Sequence, residues 1–156
     1  MQVKFVDLSR QYQELKTEIL SAVDEVFASG WYVLGPKLEQ FEHEFAEYCG
    51  VKHAVGVGNG SDALYLILDA LDIGPGDEVI TAPNSFIASA AAIARTGATP
   101  VFCDVGDDMN LDPAQLEAAI TNRTKAVMPV HLTGRIAKME QIQEIAGRHQ
   151  IHVVED

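Results

Sequence analysis

Apolar residues along the chain recur at two spacings, and the change from one to the other falls near Gly50. Between Leu8 and Gly30, Tyr12, Leu15, Ile19, Val23 and Val26 lie three or four apart, which draws one stripe on an α-helix, with Asp7 or Ser9 available as its cap. A second helix is predicted from Pro36, a residue suited to the first helical position, through Leu38, Phe41 and Phe45 to Gly50. Both read as one-sided helices that pack on something larger.

Beyond Gly50 short Val/Ile-rich runs alternate with helical periods. Strands are expected at 54–58, 78–81, 99–103, 125–130 and 151–155, separated by helices at 61–71, 85–95, 113–120 and 138–149. The turn Gly74-Pro-Gly-Asp77 and the pair Asp112-Pro113 mark boundaries in the same register. This alternation argues for an α/β fold with a mainly parallel sheet sandwiched by helices, joined by right-handed crossovers. No repeat, low-complexity tract or linker interrupts it, so one compact architecture is implied, while the strand order stays open. The helix Ser85-Phe-Ile-Ala-Ser-Ala-Ala-Ala-Ile-Ala94 has no polar face wider than two serines and is expected to be buried on nearly all sides. A central place in a three-layer sandwich, further chain or a partner subunit would each provide that cover.

Composition narrows the function classes. The 156 residues are 47% hydrophobic and 22% charged, ordinary for one globular domain. Twenty-three acids against 11 Lys plus Arg give a net charge of -12 with no basic block, which argues against nucleic acid and anionic membrane as partners. An anionic ligand must then be held by local geometry. With no apolar run of membrane-spanning length and no signal-like start, a cytoplasmic location is expected. Cys49 and Cys103 form no Cys-x-x-Cys pair and read as two buried thiols in a reducing compartment, in preference to a disulfide or a metal site.

Two places carry candidate chemistry. Gly56, Gly58 and Gly60 suit a tight strand-to-helix turn, after which the N–H groups of Ser61, Asp62 and Ala63, with the Ser61 hydroxyl, can cradle a phosphate. A dinucleotide fingerprint would need a third glycine at position 61, and no Gly-Lys-Ser/Thr of a Walker loop exists. A glycine turn that merely joins two elements is the plainer alternative. The second place is Asp156, at the carboxyl end of the run Ile151-His-Val-Val-Glu-Asp156, where open α/β sheets hold ligands. An ionised carboxylate beside a pyridine nitrogen favours the protonated ring, whereas an exposed strand-end acid has no such role. Phe86 can lie flat on such a ring or belong to the core, and His131 can donate to a cofactor oxygen or cap a carbonyl.

Eight segments in order carry a resemblance: Ser29-Gly-Trp-Tyr-Val-Leu-Gly35, Phe41-Glu-His-Glu-Phe45, Gly58-Asn-Gly-Ser-Asp-Ala-Leu64, Gly74-Pro-Gly-Asp-Glu-Val-Ile80, Pro83-Asn-Ser-Phe-Ile-Ala88, Gly97-Ala-Thr-Pro-Val-Phe102, Pro129-Val-His-Leu-Thr-Gly134 and Val153-Val-Glu-Asp156. Together they resemble the DegT/DnrJ/StrS family of sugar aminotransferases. The resemblance implies the N-terminal part of a fold-type I large domain that binds pyridoxal 5'-phosphate (pyridoxamine phosphate when aminated), and a homodimer with active sites at the subunit interface. It also implies transfer of an amino group, usually from glutamate, to a keto group of a nucleotide-linked sugar. By the same resemblance Gly60, Ser61 and Asp62 hold the phosphate, Phe86 stacks on the ring and Asp156 meets the pyridine nitrogen. The Trp31-Tyr32 pair is similar to that of members acting at the 3-keto position of dTDP-deoxysugars, a weak pointer to substrate, with a staple between the first two helices as the rival account.

One departure matters. The family's Schiff-base lysine lies in a Ser-x-His-x-x-Lys-like segment past the Val-Glu-Asp strand. None of Lys4, Lys16, Lys37, Lys52, Lys125 and Lys138 has that context, so no catalytic residue is expected in this chain and the chain as such is not expected to turn over. It reads as an N-terminal portion, before the lysine and the C-terminal small domain. Two rivals to an aminotransferase remain: a dehydratase of the same family with histidine in the lysine's place, and a non-catalytic regulatory relative. An incomplete sheet is further expected to leave an apolar patch that promotes self-association.

Overall fold

A computed structural model describes residues 3–156 and resolves them into two compact units, one ending at Gly56 and one running from Val57 to Asp156. The single architecture implied by periodicity is thus two bodies, each with its own contacts.

In the first unit, α1 (Leu8–Ser29) starts on Asp7, whose carboxylate accepts the Arg10 N–H at 3.3 Å, and ends on Gly30 in the left-handed region. Asp7 rather than Ser9 is therefore the cap. Helix α2 (Pro36–Cys49) begins on its proline and ends on left-handed Gly50, and a Lys37–Glu25 ion pair of 2.7 Å ties it to α1. Helix α1 buries none of its residues, and Tyr12, Leu15, Ile19 and Val23 stay 40–41% exposed, so the apolar stripe is drawn as expected but only half covered.

Residues 54–58 do not form the expected strand. They pair with no strand among the described residues, and Val55 is 79% exposed. A strand exists through its ladder to a neighbour, and here the long-range hydrogen bond among the described residues is the Gly56 N–H donating to Glu42 Oε1 at 2.7 Å.

The second unit alternates α3 (Gly60–Ala70), β1 (Glu78–Thr81), α4 (Ile87–Thr96), β2 (Thr99–Phe102), α5 (Pro113–Ala119), β3 (Thr124–Met128), α6 (Met139–His149) and β4 (His152–Val153). All four strands run parallel in the order β2-β1-β3-β4. Alternate side chains feed two cores, as the pleat requires. Val79, Ala126 and Met128 meet Leu64 and Leu68 of α3 and Ile93 of α4 on one face, while Ile80 and Val127 meet Leu116 of α5 and Ile142 and Ile145 of α6 on the other.

Helix α4 begins at Ile87, two residues later than periodicity implied, because Phe86 is extended at φ −61°, ψ 144° and belongs to the preceding turn. It is also less covered than expected. Ser89, Ala92 and Ile93 are buried, whereas Ile87, Ala91 and Ala94 are exposed because no layer lies over them among the described residues. With Leu66, Ile67 and Phe102 also exposed, the 156-residue chain is expected to self-associate, and a concentration-independent monomer in sedimentation velocity would contradict this.

Gly97 closes α4 at φ +90°, and a Cβ there would meet Pro75 Cγ at 2.9 Å. Gly97→Ala combines a disfavoured backbone with a clash and is expected to cost more than about 1 kcal/mol, read from the urea midpoint. Of the two thiols expected to be buried, only Cys103 is, because Cys49 ends α2 on its uncovered side. Cys49 is exposed, whereas burial, then Asp112 and Asp104, pushes Cys103 up to about 11. Since the thiolate is the reactive form, one thiol is expected to react with Ellman's reagent at pH 8 in the folded chain and two after denaturation.

Candidate functional site

The strand order creates the site. The chain leaves β1 toward β2 on one side and leaves β3 toward β4 on the other, so the turns beyond the carboxyl ends of β1 and β3 part and leave a crevice between them. A pocket of about 490 Å³ lies there, lined by Gly60, Ser61, Phe86, His131 and Asp156 among others. The start of α3 and the residue after β4 therefore face one small space.

Asp156 is held by its backbone and by one side-chain oxygen. Its N–H donates to Pro129 O at 3.0 Å and its C=O accepts the His131 N–H at 3.1 Å, continuing the β3–β4 ladder past the strands. The Ser89 hydroxyl donates to Asp156 Oδ2 at 2.5 Å, while Oδ1 has no partner among the described residues. Phe86, at 75% exposure, lines the pocket instead of filling the core, because the extended turn before α4 carries it outward.

The start of α3 is built differently from what the glycines implied. Gly56, Gly58 and Gly60 all avoid the left-handed region, so no tight left-handed turn exists. Asn59 caps the helix: its Oδ1 accepts the Asp62 N–H at 2.9 Å and its carbonyl accepts the Ala63 N–H at 3.0 Å. Two of the three expected phosphate donors are thus spent, and the free ones are the N–H groups of Gly60 and Ser61, which find no acceptor among the described residues. Asp62 does not line the pocket. Its carboxylate accepts from Asn59 Nδ2 at 2.8 Å and pairs with Arg95 at 3.1 Å, and Arg95 in turn lies 4.1 Å over the Tyr65 ring. An acid drawn to that cation braces α3 against α4.

His131 lines the pocket, but both ring nitrogens are engaged. Nδ1 accepts the Ala137 N–H at 3.2 Å, which leaves the proton on Nε2 to donate to Glu155 Oε2 at 2.8 Å. The ring fixes the turn beyond β3 more than it offers a donor to a ligand. Asn110, 1% exposed, pins the same turn through Leu132 N (3.1 Å) and Arg135 O (2.9 Å). No lysine among the described residues lines the pocket.

Trp31 and Tyr32 belong to the first unit, where with Glu25, Leu34 and Lys37 they line a pocket of about 370 Å³. Trp31 Nε1 donates to Val33 O at 2.7 Å and Tyr32 meets Phe27 of α1 edge-on at 5.8 Å, so both aromatics have local partners.

Asn59, Ser89 and Asn110 were passed over in the sequence. Only Ser89 left a legible signal, as a hydroxyl in a helix of alanines, where burial without a partner is costly.

Residues 13–156 match the DegT/DnrJ/EryC1/StrS aminotransferase family. The chain belongs to that family. It is 52% identical over 99% of its length to the dTDP-3-amino-3,4,6-trideoxy-alpha-D-glucose transaminase of Streptomyces venezuelae, and 50% identical over all of it to a "Pleiotropic regulatory protein" of Geobacillus stearothermophilus. It spans about two fifths of these curated relatives, 41% and 42% respectively. Among solved structures it is similar to DesV of S. venezuelae in complex with a ketimine intermediate (TM-score 0.96, 52% identity, 98% of this chain and 42% of that one). It is likewise similar to NtdA of Bacillus subtilis with bound cofactor PMP (TM-score 0.94, 36% identity, 99% and 36%). The parallel sheet flanked by helices is thus that of pyridoxal-phosphate-dependent aminotransferases, as the sequence implied. No helix among the described residues is long and apolar enough to cross a membrane.

Proposed function

We propose that this chain carries the cofactor-binding part of a pyridoxal-phosphate-dependent aminotransferase that moves an amino group from glutamate to a keto carbon of a nucleotide-linked deoxysugar, with dTDP as the favoured nucleotide. One observation carries the reading: unspent N–H groups at the start of α3 and a carboxylate with a free oxygen line the same pocket. The donor set fits the cofactor. Two backbone N–H groups and the Ser61 hydroxyl at a helix start suit a phosphate, an exposed Phe86 suits an aromatic face, and Asp156 Oδ1 suits a protonated ring nitrogen. Bound there, the cofactor would supply an electron sink for the pair released when a proton leaves the carbon bearing the amine.

The chain's own residues bind and orient. Gly60 and Ser61 would anchor the anion, Phe86 would cover one ring face, and an ionised Asp156 beside the ring nitrogen would keep the proton there. His131, fixed by Ala137 and Glu155, holds the turn that carries the Asp156 ladder. With no lysine at the pocket, the 156 residues alone are expected not to transaminate. The amine-bearing lysine belongs, in this reading, to a Ser-x-His-x-x-Lys-like segment of the complete protein, a homodimer. The names of the transaminase relatives support dTDP sugars, and Trp31 and Tyr32 are the substrate candidates in the first unit.

The 50% identity to the "Pleiotropic regulatory protein" supports a second reading, a cofactor-binding relative without amine transfer. Incubating the complete protein with pyridoxal phosphate, glutamate and a dTDP-3-keto-6-deoxysugar separates the cases. The proposal expects glutamate to convert the bound cofactor to its amine form and the sugar to return it. No exchange with glutamate contradicts it in favour of the regulatory reading, and a sugar that loses water in place of gaining nitrogen favours a dehydratase.

A further inference from the structure

We propose that Ser89 is the positioning residue that sets the orientation of the Asp156 carboxylate, with Ser85 fixing the direction of the Ser89 hydroxyl. This rests on the cofactor reading above and adds to it a residue of α4 that touches the pocket only through another side chain.

Ser89 is 1% exposed in a helix whose neighbouring positions are alanine, so the fold has no packing need for a hydroxyl there. Burying one unpaired is unfavourable, and this one is paired three ways: 2.5 Å to Asp156 Oδ2, 3.0 Å to Ser85 Oγ and 3.4 Å to Phe86 O. A hydroxyl has one proton to give. An ionised carboxylate at the shortest distance takes it in preference to a neutral carbonyl at 3.4 Å, which leaves the Ser89 oxygen to accept from Ser85. The chain of donation then runs Ser85 to Ser89 to Asp156.

The consequence is orientation. The terminal torsion of an aspartate is broad and roughly two-fold, so backbone ladder bonds fix where Asp156 sits without fixing which oxygen faces the pocket. Pinning Oδ2 on Ser89 leaves Oδ1 as the one presented to a ligand. Phe86 is the cap residue immediately before α4, so the start of one helix places both the side chain offered to a ring face and the hydroxyl that aims the carboxylate at the ring edge. Both are thereby set in one frame.

The test is a double-mutant cycle read by pyridoxal-phosphate affinity, measured by fluorescence titration of the complete apo-protein. Ser89→Ala is expected to weaken binding on the order of tenfold in the wild-type background, and less than about twofold in an Asp156→Asn background, because its effect passes through the carboxylate. Ser85→Ala, which leaves the direct contact in place, is expected to lose about two- to threefold and to lose nothing further beside Asp156→Asn. A packing role would give equal losses in both backgrounds, and that result overturns the proposal. So does an unchanged affinity of Ser89→Ala when the wild type binds well, whereas a wild type that takes up no cofactor overturns the function proposed above together with this role.

Discussion

Asp156→Asn is expected to lower the rate of glutamate-to-cofactor amine exchange in the complete protein on the order of 100- to 1,000-fold, the loss typical when one preorganised electrostatic partner of a reacting centre is removed. The substitution keeps the shape and a hydrogen-bonding oxygen for Ser89, and keeps the backbone ladder to Pro129 and His131, so the fold is not disturbed. On the proposed reading, what would disappear is the negative charge beside the ring nitrogen, and with it the preference for the protonated ring that makes it an electron sink. Binding is expected to suffer less than rate, by about tenfold, because the α3 start and Phe86 remain. Stopped-flow absorbance with glutamate separates the two quantities. Equal exchange rates for Asp156→Asn and wild type would remove Asp156 from the chemistry.

The second large effect is on stability. Leu68→Ala is expected to cost about 2–5 kcal/mol, the range for deleting a fully buried leucine. Leu68 is fully buried and packs with Leu64, Val79, Ile93 and Met128, which join α3 and α4 to the same face of the sheet. At about 4–8 °C per kcal/mol for a unit of this size, the melting temperature falls by roughly ten degrees or more. The substitution lies on the helix whose first residues offer the free N–H groups, so cofactor affinity is expected to fall with it, although Leu68 is not at the pocket. Differential scanning calorimetry with and without cofactor measures both. A fall under about 2 °C would show that this face is not a close-packed core.

The sequence carried the elements well because their ends are marked by residues with strong local preferences. Pro36, Pro113, Gly30, Gly50 and Asp7 each stop or start a helix through backbone geometry or a single local bond, and each boundary falls where those residues stand. The strand order did not follow from periodicity, because parallel pairing is decided by packing of distant helices, and the crevice between β1 and β3 was hidden with it. Residues 54–58 have the composition of a strand, but a ladder needs a neighbour that composition does not reveal.

Placement was legible where position along the chain determines exposure, as for Asp156 beyond β4 and Phe86 beyond β1, which line one pocket. Hydrogen-bond partners were not legible where several polar groups compete. Asn59 takes the N–H groups assigned to a phosphate, Arg95 draws Asp62 to the side, and Ala137 with Glu155 occupies His131. Each is a choice between partners set in three dimensions, and each replaces a candidate ligand contact with a protein one.

The central claim is that one small molecule spans from the start of α3 to the carboxylate beyond β4. A crystal structure of the complete protein grown with pyridoxal 5'-phosphate tests it directly. Phosphate oxygens are expected within hydrogen-bonding distance of the Gly60 or Ser61 N–H and the ring nitrogen against Asp156 Oδ1, with Phe86 over the ring. A cofactor bound with its ring away from Asp156, or its phosphate away from the start of α3, would contradict it.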